Sequence, residues 1–284
     1  MDKAVIPAAG LGTRLLPATK EQPKEMLPVY ARYISGEICL KPLLQLIFEQ
    51  LYDVGFREFC IVIGRGKRVI EDHFTQDYSH TKYLRNRNRA SGEDLDAFYR
   101  RLDDSVISWV TQPEPRGFGD AVLRARRPVN DSPFMVHAGD AYVLSHGNIH
   151  LKRLARAFDG SKASAALLVH EVVNPKQKGV AEVKAIIGSS SFEVLSVEEK
   201  PESPKTNIII EPIYLFQPHF LEALRRVKPD KRGEIQVTDA IQLMINEGRK
   251  VYAATLLEEE IRLDVGDPYS YWDALSASYN FSKR

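Results

Sequence analysis

The sequence predicts a three-layer α/β fold, with helices on both faces of a mixed, mostly parallel sheet. Up to Val172, short apolar runs alternate with amphipathic segments of helical spacing, and this alternation is typical of parallel strands joined by helices. Beyond Val172, apolar runs follow one another across short turns, which predicts an antiparallel or mixed extension of the sheet. A chain of 284 residues buries enough apolar surface to fold without a disulfide or a structural metal.

The elements follow from apolar periodicity and from the residues that end each run. In the first part of the chain, strands are predicted at residues 3–9, 58–63, 106–110, 134–137 and 165–169, and helices at 42–54, 64–74, 119–126 and 148–158. In the second part, strands are predicted at 180–187, 192–197 and 208–216, and helices at 218–227, 234–247 and 268–279. The polar residues 77–101 predict a helical insertion at the surface.

Composition excludes several classes of protein. The 39 basic and 38 acidic residues give a net charge of +1, so no overall field recruits nucleic acid or an anionic membrane. The two cysteines, Cys39 and Cys60, form no C-x-x-C pair, which argues against a zinc site and predicts two reduced, partly buried thiols. The first apolar run is too short for a signal peptide or a membrane span. The cytoplasm is therefore the expected location.

A glycine-containing loop follows the first strand. Gly10 and Gly12 allow the backbone to approach a phosphate, and Arg14 and Lys24 downstream add the positive charge that a triphosphate needs. In an α/β sheet this position, after the carboxyl end of a strand, is where ligands bind. By itself such a loop fits a tight strand exit equally well; the two basic residues favour phosphate.

Two other nucleotide motifs are absent from the sequence. A dinucleotide fingerprint G-x-G-x-x-G would need glycine at position 15, where Leu15 stands. Residues 64–68, Gly-Arg-Gly-Lys-Arg, are only superficially similar to a P-loop. A dehydrogenase is excluded further by the missing ribose-binding acid after the second strand.

Several segments together resemble a family. Residues 8–20 (AAGLGTRLLPATK) with 23–28 (PKEMLP) are similar to the signature of the bacterial and archaeal UTP–glucose-1-phosphate uridylyltransferases, in the sugar-1-phosphate nucleotidyltransferase family. The resemblance continues at Gln112, Gly117, 197–201 (VEEKP), 233–241 (GEIQVTDAI) and 264–266 (DVG). It implies a Rossmann-like, three-layer nucleotidyltransferase fold. The chain would form one domain, with residues 1–145 serving the nucleotide and 146–284 serving the sugar and oligomer contacts.

The resemblance also implies roles for individual residues. Arg14, Lys24 and Lys200 would be catalytic, the first two by binding the triphosphate. The nucleotide, with its uracil edge, would be held by Ala8, Ala9, Gly10, Gly12, Thr13, Gln112 and Gly117. The sugar and its phosphate would contact Glu25, Gly179, Glu199 and Lys200, and Asp140 and Asp264 would bind Mg²⁺ as the cofactor.

Independently of the resemblance, the chemistry of nucleotidyl transfer requires residues of these types. Two anions that repel each other must be positioned, which two carboxylates around a hard cation and a few basic groups can do without a covalent nucleophile. Each residue also has a plain structural interpretation. Asp140 could cap the next segment, Asp264 could close a turn with Gly266, and Glu199 with Lys200 could be a solvated surface pair.

The predicted reaction joins UTP and α-D-glucose 1-phosphate into UDP-glucose and pyrophosphate, by Mg²⁺-dependent in-line attack. Alternatives are the same chemistry with dTTP, or with galactose or N-acetylglucosamine 1-phosphate, or a catalytically inactive regulatory relative. Residues 30–40 and Lys178 depart from the family pattern, which affects the identity of the sugar more than the nucleotide. The partners expected are the two substrates and further copies of the chain, as a homodimer or homotetramer.

Overall fold

The computed structural model describes residues 1–85, 87–159, 163–188 and 190–284. The strands in these residues are β1 (Lys3–Ala8), β2 (Pro28–Arg32), β3 (Ile38–Pro42), β4 (Glu58–Gly64), β5 (Val106–Gln112), β6 (Phe134–His137), β7 (Ala141–Leu144), β8 (Ala165–Glu171), β9 (Gly179–Ala185), β10 (Phe192–Glu199), β11 (Ile208–Phe216), β12 (Val251–Thr255) and β13 (Ile261–Asp264). The helices are α1 (Leu43–Asp53), α2 (Arg68–His73), α3 (Tyr78–Arg85), α4 (Arg89–Asp103), α5 (Phe118–Arg124), α6 (Arg126–Val129), α7 (Ile149–Asp159), α8 (Phe220–Arg226), α9 (Val237–Asn246) and α10 (Pro268–Lys283).

Nine of these strands form the main sheet of the described residues, in the order β5-β4-β1-β6-β11-β8-β12-β10-β9. The first four are parallel to one another, and β8 is parallel to β12. Strand β11 is antiparallel to β6 and β8, and β10 is antiparallel to β12 and β9. Only these two run against the rest of the sheet, which confirms the prediction of a mixed, mostly parallel sheet with an antiparallel extension.

Helices cover both faces of the sheet, as a three-layer fold requires. Successive side chains of a strand point to opposite faces. Ile6 of β1 accordingly packs with apolar residues of α1, α4 and α7, whereas its neighbour Val5 packs with residues of α5, α8 and α9. The two apolar clusters confirm the predicted layers. Because the helices cover the faces of the sheet, the carboxyl ends of β1, β4, β5 and β6 can carry loops.

Several local predictions were wrong or incomplete. The helix predicted from residue 64 begins only at Arg68, because Gly64 remains in β4 and Gly66 takes a φ of 81° in the turn between them. Residues 30–40 contribute to an antiparallel hairpin of β2 and β3, which packs against α10 through a hydrogen bond from the Tyr271 hydroxyl to the Pro28 carbonyl (2.8 Å). The short strands β7, β12 and β13 were not predicted.

Within the polar segment 77–101, α3 and most of α4 are helical, which confirms the predicted helices. The prediction of a surface position was wrong for α4, because its residues Phe98 and Tyr99 are buried in the apolar core. Both cysteines are buried and unpaired. Among the described residues, no helix combines the length and the apolar character needed to span a bilayer.

Three histidines make the stability of the fold sensitive to acid. Burial lowers the pKa of His73 and of His137 to about 4 and that of His150 to about 3, so all three are neutral in the folded chain. In the unfolded chain they bind protons below a pH of about 6.5. The free energy of unfolding is therefore expected to fall as the pH drops from about 6.5 towards 4, by up to about 1.4 kcal/mol per pH unit for each histidine.

Urea unfolding at pH 7 and pH 5, on the native chain and on His73→Gln, measures this effect. The variant keeps a donor for the Gln45 side-chain oxygen that His73 contacts at 2.9 Å, and it should lose about 2 kcal/mol less than the native chain between the two pH values. His146→Gln, at a solvent-exposed position, is the control and should behave like the native chain. Equal pH dependence in His73→Gln and the native chain would contradict the assignment.

Candidate active site

A cavity of about 400 Å³ lies at the carboxyl edge of the parallel strands. Strand β1 ends there at Ala8, β5 at Gln112 and β6 at His137, three residues before Asp140. The cavity is lined by Pro7, Ala9, Gly10, Leu11, Gly12, Thr13, Lys24, Glu25, Gln112, Pro115, Gly117, Phe118, Ala121, Asp140 and Glu234. The structure therefore gathers at one place nearly all the residues that the sequence assigned to the nucleotide, at the edge of the sheet where an α/β fold binds ligands.

The loop after β1 is a compact turn and not the start of an α-helix. Short 3₁₀ turns occupy Thr13–Leu15 and Lys24–Met26. Gly12 has a φ of 64°, and a Cβ there would lie 3.2 Å from that of Thr19, whose hydroxyl donates to the Gly12 carbonyl at 2.7 Å. Glycine is favoured at this position, because other residues rarely adopt this backbone angle and a Cβ would press against the Thr19 side chain.

A buried ion pair between Lys67 and Glu25 lies against the end of β1, where this loop begins. Lys67 Nζ donates to both carboxylate oxygens of Glu25 (3.0 and 2.8 Å) and to the Ala8 carbonyl (2.6 Å). Burial lowers the pKa of Lys67 and raises that of Glu25, and the pair opposes both shifts. Glu25, which the family resemblance assigned to the sugar, lines the same cavity as the glycine loop, and Lys67 engages both of its oxygens. No role was predicted for Lys67 from the sequence, because residues 64–68 were compared only with a P-loop and did not match it.

The opposite wall is built around Gln112. Its amide nitrogen donates to the Gly117 carbonyl (3.1 Å) and to Asp120 Oδ2 (2.8 Å). Gly117 has a φ of 94°, and a Cβ on it would come within 2.8 Å of Glu234 Cβ. Ile235 fixes the turn, since its N–H donates to the Arg116 carbonyl at 2.8 Å. Residues 233–236 therefore shape the cavity, a role that the sequence did not indicate for a segment interpreted as a helix start.

Lys24 and Asp140 form an ion pair inside the cavity. Lys24 Nζ donates to Asp140 Oδ2, and only 14% of the lysine side chain is exposed. Burial alone would lower the pKa of Lys24, but the carboxylate of Asp140 outweighs it and the pKa is raised. Lys24 therefore carries a positive charge at neutral pH, next to the glycine loop that follows β1.

Asp264 lies beside Asp140 because β13 pairs with β7. The register sets Asp264 opposite Ala141, and Val265 N–H donates to the Asp140 carbonyl at 3.2 Å. Lys178 Nζ (3.1 Å) and Arg262 Nη2 (2.9 Å) both contact Asp264 Oδ2. Burial would raise the pKa of this carboxyl, but the two cations outweigh it and lower the pKa.

Arg14 reaches the same corner from the glycine loop. A Cβ on Gly266 would lie 3.1 Å from Arg14 Nη2 and 3.2 Å from Asp264 Oδ1. The small residue at 266 therefore lets the guanidinium approach the Asp264 turn. Lys178 and Arg262 thus contact the Asp264 carboxylate, and the Arg14 guanidinium lies close to the same turn.

The donor set suits a cation that a substrate helps to bind. Asp140 and Asp264 supply hard oxygen donors on adjoining strand ends, but the described residues contain no group of three or more His, Cys, Asp or Glu placed to hold a metal. Mg²⁺ is usually bound by one or two carboxylates together with substrate phosphates and waters. The residues thus fit Mg²⁺ that enters with a nucleotide, and they do not form a closed site of their own.

The residues assigned to the sugar form a third cluster. Lys200 Nζ contacts Glu199 Oε1 at 3.1 Å, and the Thr238 hydroxyl donates to Glu199 Oε2 at 2.8 Å. A Cβ on Gly179 would come within 3.1 Å of that second oxygen. Lys200 N–H donates to the Lys178 carbonyl (3.2 Å), so the backbone joins this cluster to the lysine that contacts Asp264. Thr238 was not identified from the sequence.

A glycine loop, a lysine and two carboxylates at the carboxyl edge of a mixed sheet define an α/β protein built to bind a phosphorylated nucleotide. The family comparison agrees with that class. The chain belongs to the nucleotidyl transferase family, whose model matches residues 3–280.

Relatives and solved structures are similar over most of the chain. A UTP–glucose-1-phosphate uridylyltransferase of Pseudomonas aeruginosa is 34% identical over 87% of this chain and 85% of its own length, and one of Streptococcus pyogenes is 33% identical over 95% and 86%. A crystal structure of apo UDP-glucose pyrophosphorylase superposes with a TM-score of 0.87 at 29% identity, covering 99% of this chain and 98% of that one. A UDP-glucose pyrophosphorylase in complex with UDP-glucose gives 0.83 at 29% identity over the full length of both chains. These findings confirm the fold and the family that the sequence predicted.

Proposed function

We propose that this chain is a UTP–glucose-1-phosphate uridylyltransferase. It transfers the uridylyl group of UTP to α-D-glucose 1-phosphate and releases pyrophosphate. The observation that carries the proposal is the cavity itself, in which the glycine loop, Lys24, Gln112 and Asp140 face one another. The relatives named above, which are uridylyltransferases of glucose 1-phosphate, support the choice of substrates.

In the reaction, an oxygen of the sugar phosphate bonds to the α-phosphorus of UTP while the bond from that phosphorus to the pyrophosphate oxygen breaks. Both reactants are anions, so positioning and charge neutralisation carry most of the catalysis. Lys24, held protonated beside Asp140, supplies positive charge on the nucleotide side. Lys200 and Glu199 hold the sugar phosphate and a hydroxyl at the far end, and Arg14 adds charge near Asp264.

Asp140 and Asp264 would hold Mg²⁺ together with the triphosphate. The ion would neutralise charge on the phosphates as it builds up. The position of Asp140 supports this assignment, because its partly exposed carboxylate lines the cavity beside the glycine loop. The protein's own contribution is to hold both carboxylates in register through the pairing of β13 with β7.

A pyrophosphate-release panel tests the proposal. UTP, dTTP, CTP, ATP and GTP are each combined with glucose, galactose and N-acetylglucosamine 1-phosphates, in the presence of Mg²⁺. UTP with glucose 1-phosphate should be the fastest pair and dTTP the second-best nucleotide, since a site that pairs a polar base edge strongly rejects a mismatched one. ATP as effective as UTP would overturn the nucleotide assignment, and no release from any pair would indicate an inactive relative.

The proposal extends to assembly and location. Homodimer or homotetramer formation remains a prediction; the exposed aromatic side chains Tyr269 and Trp272 on α10 offer apolar surface for such contacts. A cytoplasmic location is proposed because both cysteines are buried and unpaired.

A further inference from the structure

The amide of Gln112 is fixed in one orientation. Both of its nitrogen contacts are acceptors that cannot donate, the Gly117 carbonyl and the carboxylate of Asp120. A rotated amide would place its oxygen against both of them, with one partner an anion. A glutamine side chain in general can turn its amide over to match either a donor or an acceptor. Here the two neighbours remove that freedom.

Asp120 is itself held in place. Only 3% of the residue is exposed, and Arg124, one turn further along α5, donates to Oδ1 at 3.1 Å and to Oδ2 at 3.4 Å. The Arg124 guanidinium offsets the cost of burying this carboxylate. The acceptor that faces Gln112 is therefore held in place by a second side chain.

The orientation decides what Gln112 offers to the cavity. Its Oε1 has no hydrogen-bond donor within the described part of the chain, and the residue lines the cavity. The side chain thus presents an acceptor. Uracil and thymine carry an N–H donor at ring position 3, whereas cytosine has a lone pair there, so an acceptor at this point pairs with the first two bases and opposes the third.

We propose that Asp120 is a positioning residue for nucleotide selection: by locking the Gln112 amide, it makes the cavity accept bases with an N–H at position 3 and reject cytosine. The inference rests on the proposed function, because it assumes that the nucleotide base occupies this cavity. Asp120 does not touch the base. It acts only through the amide of Gln112.

The test compares kcat/KM for UTP and for CTP, each with glucose 1-phosphate, in the native chain and in Asp120→Ala and Asp120→Leu. Removing this acceptor leaves only the Gly117 carbonyl to orient the amide, so the UTP-to-CTP ratio should fall by about tenfold or more. A purely structural loss would lower both values together and leave the ratio unchanged. Glu114→Gln is the control, because it removes a negative charge from the same loop at an exposed side chain outside the cavity lining, and it should keep the native ratio.

A double-mutant cycle with Gln112→Ala completes the test. In that background, replacing Asp120 should change the ratio by less than about twofold, since no amide remains to be oriented. A ratio that stays native in both Asp120 variants, with folding verified by thermal melting, would overturn the inference while leaving the proposed function intact. A native chain that shows no preference for UTP over CTP would instead contradict the proposed function at its base site.

Discussion

Replacing Asp140 by asparagine is expected to lower kcat by about a hundredfold or more while changing KM for UTP by less than about threefold. The substitution keeps the size of the side chain and removes the charge that pairs with Lys24 and that would hold Mg²⁺. Charge on the phosphates develops mostly in the transition state, so the loss should appear in kcat more than in ground-state binding.

Steady-state kinetics of Asp140→Asn, at saturating glucose 1-phosphate and varied UTP, measure this split. Asp131→Asn, the same change at an exposed position just before β6, should leave both constants near native. A parallel assay with excess chelator should abolish turnover of the native chain. Full activity in chelator, or a kcat in Asp140→Asn close to native, would remove the metal role of this carboxylate.

The Lys24→Ala and Lys200→Ala variants are expected to lose activity in different ways, although each removes a lysine that is expected to bind phosphate. Lys24 lines the nucleotide cavity, whereas Lys200 lies in the cluster of Glu199, Thr238 and Gly179. Loss of Lys24 should mainly lower kcat, and loss of Lys200 should raise KM for glucose 1-phosphate more than KM for UTP. A charge-assisted contact contributes about 1.5–3 kcal/mol, so each effect should be about tenfold to a hundredfold.

The experiment varies each substrate in turn at saturating concentration of the other, for both variants. Lys152→Ala is the control, because this lysine is exposed on α7. It belongs neither to the cavity lining nor to the groups around Asp264 and Glu199. Two variants with the same kinetic profile would mean that the division between a nucleotide side and a sugar side is wrong. A change in KM for UTP alone in Lys200→Ala would instead move that lysine to the nucleotide.

Local sequence pattern was enough to predict the layers of the fold and the edge of the sheet at which the cavity lies. Strand β1 and the loop after it are covalently continuous, so the apolar run of residues 3–8 and the glycines that follow already place Gly10 and Gly12 at a strand end. The same argument holds for Gln112 at the end of β5 and for Asp140 shortly after β6, whereas Lys24 reaches the cavity only through the fold of the chain. Periodicity failed for β7 and β13, which pair with each other in a separate two-stranded sheet, because their strand conformation depends on a partner that is distant in sequence.

What only the tertiary structure decided is which side chains meet. Lys67 reaches Glu25 across 42 positions of sequence, Lys24 reaches Asp140 across 116, and Lys178 reaches Asp264 across 86. The Gln112–Asp120 contact spans only eight positions, yet it depends on Gly117 turning the chain against Ile235. Sequence pattern reports the local backbone and the face that is buried, whereas pairing of charges depends on distances that exist only after the sheet has brought separate strand ends together. The residue types needed for nucleotidyl transfer were therefore visible in the sequence, and the partners that fix their charge and orientation were set by packing.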